Sequence, residues 1–118
     1  MKLSQGEMNL MELIWENEPV RSGELVALAS EKLGWKKSTM YTILKHLTEK
    51  GAASNEKSLV TAIVRREEQL AENSETVLGK GFGGSLPMFL TAFLKNRRLS
   101  GEEADELKKL IDSFTEGD

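Results

Sequence analysis

Between residues 35 and 51 the apolar positions Met40, Ile43, Leu44 and Leu47 follow the i, i+3, i+4, i+7 spacing of a helix with one buried face. Ser38, Tyr41, Thr42, Lys45 and Glu49 repeat that spacing on the opposite face, with Thr39 and His46 beside it, and Gly51 supplies a stop. Upstream, Ser4 and Glu7 form a capping-box pattern ahead of the stripe Met8, Met11, Ile14 and Trp15, which should end near Asn17–Pro19. Trp15 reads as a plug in the core. Ser22 is the next cap signal, before Leu25, Val26, Leu28, Ala29 and Leu33; Gly34 closes that helix, and Trp35 is expected to pack the turn onto the first helix. Two short helices joined by Gly34-Trp35-Lys36 have the form of a helix-turn-helix, in which the second helix enters the major groove.

After Gly51 the pattern shortens. Residues 52–64 predict a small two-stranded hairpin, a wing, turning at Asn55-Glu56-Lys57. Residues 65–78 predict a polar helix with few apolar anchors, bridging two regions. Four glycines between Gly79 and Gly84 predict a hinge; the spacing is not that of a phosphate-binding loop. Ser85 and Pro87 open a helix whose stripe is Leu86, Phe89, Leu90, Phe93 and Leu94, apolar almost all round and therefore expected to be buried. Ser100 and Glu103 open a last helix with Leu107, Leu110, Ile111 and Phe114 on one side. Two such helices with no core of their own predict a second copy across a two-fold axis. The expected fold is mainly α with a small β-wing: a winged helix-turn-helix domain at 1–66, then a helical dimerisation region at 67–118 with its hinge at 79–84.

Composition changes this picture in one respect. The net charge of −3 is that of a chain whose first 66 residues carry 10 Lys/Arg against 8 Asp/Glu while the remainder is acidic. The basic charge gathers at residues 32–57, around the polar helix face, and suggests an anionic partner. Hydroxyl, amine and imidazole groups can bond base edges or phosphates. Lys36, Lys37 and Lys57 are therefore candidates for phosphates, and Thr39, Tyr41, Thr42 and Lys45 for base edges, with Ser38 and His46 at the margins. A polar helix face is also what an ordinary solvated helix shows, and a winged helix can bind protein without binding DNA.

Catalysis finds no support. Ser54-Asn55-Glu56-Lys57 matches S-x-x-K, but the companion S-D-N and K-T-G elements are absent, and one histidine and no cysteine build neither a metal site nor a disulfide. No cofactor is expected. No apolar run reaches membrane-spanning length, and a cytoplasmic location is expected.

In their order and spacing, several stretches resemble the penicillinase-repressor family of winged-helix transcriptional repressors, with its copper-repressor branch. They are Leu3-Ser4 with Met11 and Ile14-Trp15; Trp35 through Leu47; Lys50-Gly51; Val64 through Glu68; Phe82 through Ser85; and Ala92-Phe93-Leu94 with Leu99 through Glu103. The resemblance implies repression by a homodimer on a palindromic double-stranded DNA operator, with Ser38, Thr39, Thr42, Lys45 and His46 on the DNA-facing helix. It also implies a release step through an inducer or a regulatory protease. The chain departs from the family pattern in lacking an Asn-Phe bond near Thr91-Ala92, the clustered cysteines of the copper branch, and a long glycine-containing wing; His46 stands where the family often has Arg.

Overall fold

The computed structural model describes residues 1–115, which fall within two compact units, Met1–Ser74 and Glu75–Asp118. In the first unit, α1 (Gln5–Asn17) is followed by β1 (Val20–Arg21), α2 (Ser22–Leu33), α3 (Lys37–Lys50), β2 (Ala53–Glu56) and β3 (Leu59–Ala62). The helix α4 (Arg66–Gly79) runs across the division. The second unit holds α5 (Leu86–Leu94) and α6 (Gly101–Phe114).

The expected capping box is present: the Ser4 hydroxyl accepts from the Glu7 N–H, and the Glu7 carboxylate accepts from the Ser4 N–H at 2.8 Å. Glu18, extended before Pro19, ends α1. Gly34 and Gly51 end α2 and α3 in the left-handed conformation, at φ of 68° and 79°, where a Cβ would be strained. These stops aim three apolar stripes at one another. Leu10, Met11 and Ile14 of α1, Leu25 and Ala29 of α2, and Met40, Leu44 and Leu47 of α3 close around Val60 of β3, all at most 2% exposed. Trp35 packs beside Gly6 of α1, as its place in the turn predicts.

The wing and the adjoining start of α2 differ from expectation in three ways. It has three antiparallel strands in the order β1-β3-β2, because Val20 and Arg21 pair with Val60 and Leu59. Its turn lies at Lys57-Ser58, one step beyond the predicted place, with φ of 52° and 65°. Two successive left-handed residues match the twist of the flanking strands, a geometry that Asn-Gly would have announced and Lys-Ser does not. Ser22 is the first residue of α2, not its cap; Arg21 takes the cap position and makes no side-chain capping bond.

Trp15 is half-buried, and its indole N–H donates to the Val64 carbonyl at 3.0 Å, tying the chain leaving the wing to α1. The first half of α4 belongs to this unit. Gln69 is 1% exposed and donates to the Met1 carbonyl at 2.7 Å and to Asn73 Oδ1 at 2.9 Å, while Arg66 reaches Glu12 at 3.0 Å.

The second unit is built differently. Gly81, Gly83 and Gly84 take left-handed φ values between α4 and α5. Ser85 caps α5 through the Met88 N–H, and Ser100 caps α6 through the Glu103 N–H. Phe82, Phe89 and Phe93 form an aromatic row with centroids 5.3 and 5.9 Å apart, and the Arg97 guanidinium lies 4.6 Å from the Phe93 ring centre. Yet no residue of α5 or α6 is buried. The burial that the sequence demands of α5 is not found among the described residues of the second unit. No helix of the described residues is long and apolar enough to cross a membrane.

Candidate nucleic-acid interface

The candidate interface is the outward face of α3 and the wing beside it. Met40, Leu44 and Leu47 lock α3 onto the core, with Ile43 half-buried against α1. That fixes the helix rotation and leaves Lys36, Lys37, Ser38, Thr39, Thr42, Lys45 and His46 exposed. The start of α3 is open to an anion. Lys36 is its N-cap and makes no side-chain capping bond, and the first turn contains no acidic residue. Free N–H groups, the positive end of the helix dipole and two lysines share that end.

Individual side chains differ in their readiness. Thr42 Oγ1 donates to the Ser38 carbonyl at 2.9 Å, which leaves the oxygen of this exposed side chain free to accept. Lys45 lies 3.9 Å from Glu49, both well exposed, an i, i+4 pair worth at most a few tenths of a kcal/mol (about 0.3–0.5) and readily exchanged for another partner. Lys57 sits at the wing turn with an exposed side chain.

Tyr41 is held more firmly than its neighbours. It is half-buried, packs against the core, and donates its hydroxyl proton to Ser22 Oγ at 3.2 Å. One residue past Met40 and three before Leu44, it lies on the flank of the buried stripe, and α2 lies within reach of its hydroxyl. Its hydroxyl joins α3 to α2, while its ring also borders an open depression beside Lys45.

Two charged residues have structural partners that the sequence did not reveal. Lys50 Nζ donates to Glu7 Oε1 at 2.6 Å and to the Lys2 carbonyl at 3.1 Å. Burial pushes the Glu7 carboxyl upward, but the bonds from Lys50 and Ser4 outweigh it and hold the group below the usual glutamate range. Arg21 was likewise not singled out. Its strand has only two residues, too few to show alternation. It is exposed, and its Nη1 donates to the Lys57 carbonyl at 3.5 Å.

Comparison with known proteins bears on this geometry. The family model described as "Penicillinase repressor" matches residues 3–113. The chain is 27% identical over 115 residues to the penicillinase repressor of Bacillus licheniformis, covering 94% of this chain and 90% of that protein. Its fold is similar to the solution structure of the DNA-binding domain of the repressor BlaI, with a TM-score of 0.53 and 24% identity, covering 57% of this chain and 87% of that one. It is also similar to the monomeric form of Bacillus licheniformis BlaI in complex with the blaP half-operator, with a TM-score of 0.50 and 24% identity, covering 58% and 88%. At that identity the structural likeness establishes the winged-helix fold.

Proposed function

The chain belongs to the penicillinase repressor family, whose members are DNA-binding transcriptional repressors and not enzymes, and from that premise we propose that it represses as a homodimer on a palindromic operator. The observation that carries the reading is the exposed polar face of α3, held outward by a core-locked helix with an uncapped, lysine-flanked start. Lys36 and Lys37 hold phosphates. Thr39, Thr42 and Lys45 face base edges, with Ser38 and His46 beside them and Lys57 on the flanking backbone. The relative solved with a half-operator supports this placement, because its similarity lies in the same winged-helix fold.

Residues 1–66 are the DNA-binding part and residues 67–118 the dimerising part of this proposal. Leu86, Phe93, Leu110, Ile111 and Phe114 stand 46–80% exposed on helices with no buried residue. Phe89, Leu90, Leu94 and Leu107 are only half-buried. Such a face is completed by a second copy. The pair then presents two recognition helices about 34 Å apart, one turn of DNA. The repressor acts in the cytoplasm. Its release, by an inducer or a protease, uses neither an Asn-Phe bond nor clustered cysteines, since the chain contains neither.

Selection of duplexes from a random pool by the intact chain tests the reading. The retained DNA is expected to share a palindrome with half-sites about 10 base pairs apart, bound with an affinity that falls steeply with salt. Retained duplexes with no common sequence, or binding indifferent to salt, contradict it.

A further inference from the structure

Beside Lys57 the wing carries a residue, Arg21, that the proposed reading leaves unused. Arg21 on β1 and Lys57 at the β2–β3 turn lie 36 residues apart in the sequence and meet at one end of the sheet. The pairing of β1 with β3 sets Arg21 opposite Leu59, and the Arg21 guanidinium reaches the Lys57 carbonyl at 3.5 Å. Both side chains are exposed, and among the described residues neither forms an ion pair, although Glu56 borders the same depression. Two cations at one depression that are in no ion pair, with one carboxylate beside them, retain a net positive charge for an anion.

Their position relative to α3 is fixed. The Ser22 N–H donates to the Ser58 carbonyl at 2.8 Å, and the Tyr41 hydroxyl donates to Ser22 Oγ at 3.2 Å. The wing turn is thus tied through one serine to the recognition helix itself. Left-handed backbone at both Lys57 and Ser58 makes the turn tight and defined.

We propose that Arg21 and Lys57 form a second phosphate grip, seated on the duplex backbone beside the segment that α3 reads. The inference rests on the DNA-binding reading and adds a site to it. Arg21 presents a planar fork suited to two phosphate oxygens, and Lys57 a point charge beside it. The grip gives a wing with strands of only four residues a contact that needs no insertion into a groove. It positions the protein on the duplex and reads no bases.

The test is a salt titration of the intact chain on a mixed-sequence duplex and on a duplex selected from a random pool. Arg21→Gln and Lys57→Gln are each expected to lower the slope of log affinity against log salt by about 0.9, and the double variant by about twice that. Preference between the two duplexes should stay unchanged. Arg21→Lys, which keeps the charge, should restore most of the slope. An unchanged slope in Arg21→Gln, with a reduced slope in Lys36→Gln, overturns the grip and leaves the family reading intact. An unchanged slope in all of these variants overturns both. A changed sequence preference in Arg21→Gln would make the residue a base reader and refute the backbone assignment.

Discussion

The first unit completes its core and the second does not. In residues 1–74 every stripe of the three helices finds a partner, and Leu10, Met11, Ile14, Leu25, Met40 and Leu47 are fully buried. In α5 and α6, with apolar stripes as strong, no residue is buried, and Phe114 is 80% exposed. The difference lies in the number of surfaces that converge. Three helices and a sheet enclose a volume, whereas two helices have one side each and leave the outer side open. Exposed apolar stripes of this kind are where the proposed second copy would pack.

That contrast predicts opposite responses to similar substitutions. The largest effect belongs to Leu10→Ala, which empties a fully buried site among three elements and should cost about 2–5 kcal/mol of folding stability. Chemical denaturation should show the loss at every protein concentration. A loss that vanishes as the protein is concentrated would mean that the first unit, too, depends on association.

Phe93→Asp strikes the unfinished side. Its ring is 46% exposed and stacks on Phe89 and beneath Arg97. The charge should weaken pairing by about 2–4 kcal/mol, the range of an interface hot spot. The melting of residues 1–74 should hardly move, while affinity for a full palindrome drops to that for a single half-site. Undiminished affinity for the palindrome would place the partner surface elsewhere.

Acid sharpens the comparison inside the first unit. Glu7 has its carboxyl held below the ordinary value when folded, by Lys50 and Ser4 against the opposing effect of burial. The folded state therefore binds a proton less readily than the unfolded chain. The contribution is fully present above the unfolded glutamate pKa and is lost as pH falls through the lowered folded value. Lys50→Met should cost on the order of 1 kcal/mol at neutral pH, kept small by the 40% exposure of Lys50, and should flatten the acid limb of the stability curve. An acid limb of unchanged steepness in that variant would assign the effect to other carboxylates.

The smallest effect is expected at Tyr41. Tyr41→Phe keeps the packing and removes one neutral bond to Ser22 at 3.2 Å, at a cost of about 0.5 kcal/mol in stability. Base preference should be unaltered; an altered preference would return Tyr41 to the DNA-facing set.

Much of this architecture was legible because its signals are local. Ser4 with Glu7, Gly34, Gly51, Ser85 and Ser100 set helix ends by bonds to backbone within a few residues, and the helical spacing of Met40, Ile43, Leu44 and Leu47 fixes which face of α3 turns inward. What the sequence hid depends on contacts between distant residues. Val20 and Arg21 are a strand only because β3, some forty residues on, pairs with them. Tyr41 is bonded to Ser22, Lys50 is partnered by Glu7, and Gln69 is buried and bonded to Met1. The polar face of α3 could be listed from spacing, but which of its members are committed elsewhere could not.

Sedimentation equilibrium of the intact chain, alone and with a duplex bearing the selected palindrome, tests the central claim most directly. The account predicts the mass of two chains in the free protein and two chains on each duplex. A single chain at all concentrations, with α5 and α6 still helical by circular dichroism, would contradict it.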